Sequence, residues 1–187
     1  MTHLTRLEYI KIIIIKVFKK VELLLFMKTL IVYFTMGGRT KKTAEAIASA
    51  LTTHEVSFFP MKLTGKFIEK IKMLDKFENK DFSAIESELN TLDAVGYDLI
   101  IFGMPTYGSR PPLAFDEILA RMGNLSGKKA VVFNTARFTG GKALDYMKTK
   151  VEEAGTQVID QRKFRKLFWI GVKNAIKFGK QINERKE

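Results

Sequence analysis

Short apolar runs alternate along this chain with segments of helical spacing, and this alternation limits the possible folds more than any other feature. The apolar runs are rich in Ile, Val and Phe and are continuous rather than alternating, which is typical of strands buried on both faces. They predict five strands, at residues 29–34, 56–59, 98–103, 129–134 and 156–160.

The segments between the strands carry the apolar stripe of amphipathic helices. After the first strand, Ala44, Ile47, Ala48 and Leu51 follow the i, i+3, i+4, i+7 spacing. Similar stripes predict helices at residues 115–122, 144–154 and 172–179, and the less regular segment 61–95 suggests two more with a surface excursion. The βα order predicts an α/β fold in which a doubly wound parallel sheet carries helices on both faces.

Composition favours one soluble domain and excludes several kinds of site. The 187 residues are 46% hydrophobic and 28% charged, which suits a single well-packed core. The sequence has no cysteine, so disulfides, thiolate metal sites and iron–sulfur clusters are excluded, and a reducing, cytoplasmic setting is expected. The two histidines, His3 and His54, lack ligand-like spacing, so no metal site is predicted. Any redox chemistry would therefore come from a bound organic cofactor.

The formal net charge of +12 would attract acidic partners, nucleic acid or an anionic membrane. No recognisable nucleic-acid-binding motif accompanies the charge, so we favour a basic surface and predict no nucleic-acid partner.

Residues 1–26 are apolar but interrupted by lysines, and their longest apolar run is too short to span a bilayer. Apolar residues three and four apart would form one helical seam, so a helix that lies on a membrane or joins two chains is one interpretation. We favour the other, in which residues 1–26 are an extension and the folded domain comprises residues 27–187, because Met27 begins a natural first strand.

The segment Thr35-Met36-Gly37-Gly38-Arg39-Thr40 joins the first strand to the first helix. Glycines let the backbone curl there, so that the amides at the helix N-terminus can face an anion, and the threonines, with Thr43, would add hydroxyl donors. The sequence contains neither the glycine motif that binds dinucleotides nor the loop that binds nucleoside triphosphates. The segment therefore predicts a phosphate-binding loop, with a plain capped turn as the alternative.

Two further loops follow the third and fourth strands, and the carboxyl ends of parallel strands share one edge of the sheet. Both loops carry an aromatic residue and glycines, which suits a flat, phosphorylated ring system, and they contain neither a nucleophile–base pair nor a carboxylate pair. We therefore predict a cofactor site without catalytic residues. Its residues are Thr35, Met36, Gly37, Gly38, Arg39 and Thr40; Pro105, Thr106, Tyr107 and Gly108; and Asn134, Thr135, Ala136, Arg137, Phe138, Gly140 and Gly141.

These three loops resemble those of the flavodoxins and flavodoxin-like FMN proteins, from Met27 to about Ile182. The first loop matches the family pattern at Thr35, Gly38 and Thr40, and departs from it at Gly37, where the family has a hydroxyl. The resemblance implies a strand order of 2-1-3-4-5 and FMN as the cofactor. It also implies that residues 106–108 line the flavin ring and that residues 135–141 cover its other side or its rim.

The resemblance leaves the activity open between two redox functions. One is a carrier that shuttles electrons between redox partner proteins, which the basic charge predicts to be acidic; the other is an NAD(P)H-dependent FMN or quinone oxidoreductase. A phosphate-binding module without flavin is a third alternative, against which the two aromatic loops argue. We favour the carrier, as a monomer or weak homodimer.

Overall fold

The computed structural model describes residues 26–165 and 172–185, together with residues 11, 12 and 14. Its centre is a sheet of five parallel strands in the order 2-1-3-4-5, which confirms the predicted fold class and strand order. The strands are β1 (Met27–Thr35), β2 (His54–Lys62), β3 (Leu99–Pro105), β4 (Lys129–Ala136) and β5 (Gln157–Arg165). The amphipathic helix considered for residues 1–26 lies almost entirely outside the described residues.

Helices connect the strands and cover both faces of the sheet. They are α1 (Arg39–Ala48), α2 (Phe67–Glu78), α3 (Glu86–Leu89), α4 (Ala114–Arg121), α5 (Ala143–Glu153) and α6 (Val172–Asn183), with a 3₁₀ turn at Ser83–Ile85. The irregular segment before β3 thus forms α2 and the short α3. Within the described ranges, no helix has the length and apolar character needed to cross a membrane.

The two faces of the sheet form two separate apolar clusters. Successive side chains of a strand point to opposite faces, so Leu30, Val32 and Phe34 pack beneath α2, α3, α4 and α5, whereas Ile31 and Tyr33 pack beneath α1 and α6. β1, β3 and β4 are buried on both faces, as their apolar runs predicted.

The two edge strands differ from the prediction, because each is longer than its apolar run and is partly exposed. β5 continues to Arg165, five residues beyond the predicted end at Asp160. Phe164 explains the extension, because its ring packs edge-on against Phe133 and also contacts Phe178, with ring centroids 5.9 Å apart in both pairs. Residues 161–165, which lie between the predicted fifth strand and the predicted last helix, therefore belong to the sheet.

Candidate functional site

A cavity of about 540 Å³ opens at the carboxyl edge of the sheet, where the loops after β1, β3 and β4 meet. Its volume lies within the range of small-molecule and cofactor sites. Most of the predicted site residues line it, namely Thr35, Met36, Gly37, Arg39, Thr40, Pro105, Thr106, Tyr107, Gly108, Thr135, Ala136, Arg137, Phe138 and Gly140.

The first loop presents the N-terminus of α1 to this cavity. Gly38 is the N-cap of α1 and has the left-handed backbone angles φ 81° and ψ −4°, and its amide donates to the Thr35 hydroxyl at 3.0 Å. Gly38 has no side chain with which to cap the first turn, and that turn contains no acidic residue. The positive end of the helix therefore suits an anion, and Arg39 adds a positive charge to the cavity wall.

Two buried threonines join the loops behind this anion site. The hydroxyls of Thr40 and Thr135 lie 2.9 Å apart, and the Thr135 carbonyl accepts a hydrogen bond from the Thr106 amide at 2.9 Å. Thr135 thus ties the first and second loops to β4. Thr43, expected as a further donor to the anion, is buried and donates to the Arg39 carbonyl at 3.1 Å, so that expectation was wrong.

The second loop forms a short hairpin that holds Tyr107 against the core. The amides of Tyr107 and Arg110 each donate to the other's carbonyl, at 2.9 and 3.1 Å, and Gly108 makes the turn with a φ of 60°. Burial raises the pKa of Tyr107 to about 12. The ring is therefore neutral near pH 7 and provides a flat wall for the cavity.

Because of this burial, we expect the free energy of unfolding to fall as the pH rises from about 10 to about 12. The unfolded tyrosine ionises near pH 10, whereas burial keeps Tyr107 neutral in the folded chain up to a pKa of about 12. The stabilisation is thus complete below pH 10 and is lost as the pH approaches 12. Urea unfolding at pH 9, 10 and 11 measures the decline, which Tyr107→Phe should make shallower. An identical decline in both proteins would contradict the expectation.

Three predicted site residues lie behind the cavity wall rather than in it. Gly38 shapes the first loop, and the Gly141 carbonyl accepts a hydrogen bond from Lys163 at 3.2 Å. Asn134 is fully buried, and its Nδ2 donates to the Thr106 hydroxyl at 2.7 Å. Its Oδ1 has no hydrogen-bond partner among the described residues. These residues position the loops instead of facing the cavity.

The structure adds two lining residues that the sequence analysis did not select, Phe67 and Thr139. Thr139 lies within the third loop, whereas Phe67 begins α2, just beyond the carboxyl end of β2. The rule that strand ends share an edge could have indicated Phe67, but the second strand was predicted to end at residue 59, short of its observed end at Lys62. Phe67 and Phe138 are 64% and 73% exposed, so two aromatic rings stand open to solvent at the cavity.

Among the residues that the structure describes, the cavity lining has no acid–base pair suited to neutral pH. Its described lining contains no Asp, Glu, His or Lys, and its ionisable side chains are Arg39, Arg137 and Tyr107. Nor does any group of three or more His, Asp or Glu in the described part of the chain form a candidate metal site. The arrangement can hold an anionic, ring-bearing ligand, and the chemistry would have to come from that ligand.

The five-stranded sheet in the order 2-1-3-4-5, with a cavity at its switch point beside the first strand, defines the flavodoxin-like fold. Comparison with solved structures confirms this fold. Neither a protein-family model nor a curated protein sequence matches the chain.

Three similar structures share the fold at low sequence identity. A flavodoxin from the domain Archaea is 21% identical, with 84% of this chain and 97% of that chain covered and a TM-score of 0.56. The flavodoxin of Megasphaera elsdenii is 18% identical, with 84% of this chain and 99% of that chain covered and a TM-score of 0.54. A flavoprotein from Lactobacillus acidophilus, solved in complex with FMN, is 24% identical. The match covers 73% of this chain and 93% of that chain, with a TM-score of 0.56.

Proposed function

We propose that the carboxyl-edge cavity binds FMN and that the protein carries electrons between redox partners in the cytoplasm. The observation that carries the proposal is a single cavity that joins an uncapped helix N-terminus to aromatic walls. The structurally similar flavoprotein of Lactobacillus acidophilus was solved with FMN, and flavodoxins share the same fold.

The residues present fit FMN at both ends of the molecule. The N-terminus of α1, the Thr35 hydroxyl and Arg39 would hold the phosphate, because they offer hydrogen-bond donors and positive charge. Tyr107 and Phe138 would flank the isoalloxazine ring. Bound FMN supplies electron transfer, which none of the lining side chains provides. The role of the chain is to bind and orient the ring and to shield it from water.

Exposure at the cavity favours a carrier over a reductase. Phe67 and Phe138 are largely exposed, so a partner protein could approach the flavin closely. The second candidate is an NAD(P)H-dependent FMN or quinone oxidoreductase of the same fold. The glycine pair Gly140 and Gly141 favours this second candidate. The pair lies close to the second loop, since a Cβ added to Gly141 would lie 2.6 Å from the Ser109 Cα.

The charge around the cavity suits an acidic partner protein. One loop follows the carboxyl end of each of the strands β1, β2, β3 and β4 and leads into the next helix. These four loops contain no Asp or Glu. Their charged residues are Lys66, Arg110, Arg137 and Lys142. A positive rim would speed encounter with a negatively charged protein, and salt would weaken that attraction.

Cofactor analysis followed by reductive titration tests this function. We expect the purified protein to release one FMN per chain, and we expect NADPH alone to reduce the bound flavin slowly while a stronger reductant reduces it fully. The reason is that, among the described residues, the three loops and Phe67 line the cavity, and none of them forms a further segment that would hold a nicotinamide next to the ring. Release of FAD, or no flavin uptake, would contradict the cofactor assignment. Rapid oxidation of NADPH with a quinone acceptor would establish the reductase instead.

A further inference from the structure

A second cavity, of about 450 Å³, borders the proposed flavin site at Tyr107. Tyr107 lines both cavities, so the two spaces share one aromatic wall. Ile71 and Leu74 of α2 form one side of the second cavity, and Pro111, Pro112 and Leu113 form the other. These residues, with the aromatic ring of Tyr107, form the apolar part of its lining.

The walls of this second cavity are held in place by the fold. The paired backbone hydrogen bonds between Tyr107 and Arg110 fix the hairpin, and the two following prolines restrict the backbone beyond it. On the opposite side, Phe77 anchors α2 in the core, where its ring lies 6.1 Å from that of Phe34. A site formed in advance loses little conformational entropy when a ligand binds.

The two neighbouring cavities carry opposite charge. The charged residues that line the first are Arg39 and Arg137, whereas Asp75 and Glu78 line the second from α2. Arg110 also lines the second cavity, and against its single positive charge the two carboxylates leave the lining with a net charge of −1. An anion is therefore favoured in the first cavity, and a cation is favoured in the second.

We propose that the second cavity binds a planar organic cation, stacked on the ring of Tyr107. The apolar walls would take the ring of the ligand, the aromatic face would attract its positive charge, and Asp75 and Glu78 would supply the opposite charge at the rim. The site shares Tyr107 with the proposed FMN site, but none of its charged residues lines the first cavity.

Three probes with similar fused rings test the proposal by titration of the full-length protein at pH 7. N-methylquinolinium is cationic, naphthalene is neutral and naphthalene-2-sulfonate is anionic. We expect the cation to bind with the highest affinity when FMN is in excess, because without FMN the anionic probe can also enter the first cavity. FMN uptake is measured in the same samples, so failure of either site is distinguished from failure of the other. With FMN in excess, equal affinity for all three probes, or preference for the anion, would overturn the proposal.

Charge variants locate the bound cation. Asp75→Asn combined with Glu78→Gln should weaken N-methylquinolinium about tenfold, since two nearby opposite charges are removed, and should leave naphthalene unchanged. The matched control is Glu88→Gln with Glu152→Gln, which removes the same charge outside the cavity lining. Tyr107→Phe should retain binding and Tyr107→Leu should lose it, because stacking needs an aromatic face. Unchanged cation affinity in the Asp75/Glu78 variant, with its melting temperature preserved, would refute the site.

Discussion

Gly38→Val should weaken FMN binding by about 30- to 150-fold. Gly38 has a φ of 81°, and a β-branched residue in this left-handed conformation is strained by on the order of 2–3 kcal/mol. The chain can relieve the strain only by opening the turn that directs the N-terminus of α1 at the proposed phosphate site. A fluorescence titration of the flavin-free protein with FMN measures the loss.

Gly96→Val provides a matched control for Gly38→Val. Gly96 has the same φ of 81°, and in both glycines an added Cβ would meet no atom within 4 Å, but Gly96 lies in the loop that leads into β3, at the opposite edge of the sheet. Both variants should lose similar stability, whereas only Gly38→Val should lose FMN affinity. If the two variants bind FMN equally well, the first loop does not hold the phosphate.

Gly179→Ala should destabilise the protein by about 2–3 kcal/mol and lower its melting temperature by roughly 5–10 °C. Alanine normally stabilises a helix interior by about 0.5–1 kcal/mol relative to glycine, so the expected sign is reversed. The reason is the contact between α6 and α1. A Cβ on Gly179 would lie 2.4 Å from the Ile47 carbonyl oxygen and 2.9 Å from the Ala50 Cβ, so the two helices would have to separate.

Thermal unfolding of Gly179→Ala beside Lys177→Ala distinguishes packing from helix propensity. Lys177 is an exposed residue of the same helix, and its truncation should change the stability by no more than about 0.5 kcal/mol. A variant at Gly179 that melts at or above the temperature of the parent would show that α1 and α6 are not in such close contact.

The architecture could be predicted from the sequence because its signals are local. Runs such as 29–34 and 98–103 identify buried strands by composition, and the spacing of Ala44, Ile47 and Leu51 identifies the following helix. The order of these elements then restricts the topology to a parallel sheet with helices on both faces. The edge strand β5 was predicted too short, because its second half is polar in composition and is held by pairing to β4 and by the packing of Phe164.

The candidate site was only partly predictable. Glycines and threonines after a strand indicate a loop that can bind an anion, and the ends of parallel strands bring such loops to one edge. Which side chains face the cavity depends on register and on hydrogen bonds between distant residues. Thr43 bonds to the backbone of its own helix, and Asn134 turns inward to Thr106, although both looked suitable as ligand donors.

The sequence by itself determined the strand and helix pattern, the edge at which the loops gather, and the absence of cysteine chemistry, because each of these depends on residue type and spacing along the chain. Only the tertiary structure brought Phe67 to the first cavity, placed Tyr107 between two cavities, and set Asp75 and Glu78 against the prolines of another loop. Those contacts join residues of separate loops and helices, and the packing of α2 on the sheet decides them, which local spacing does not encode.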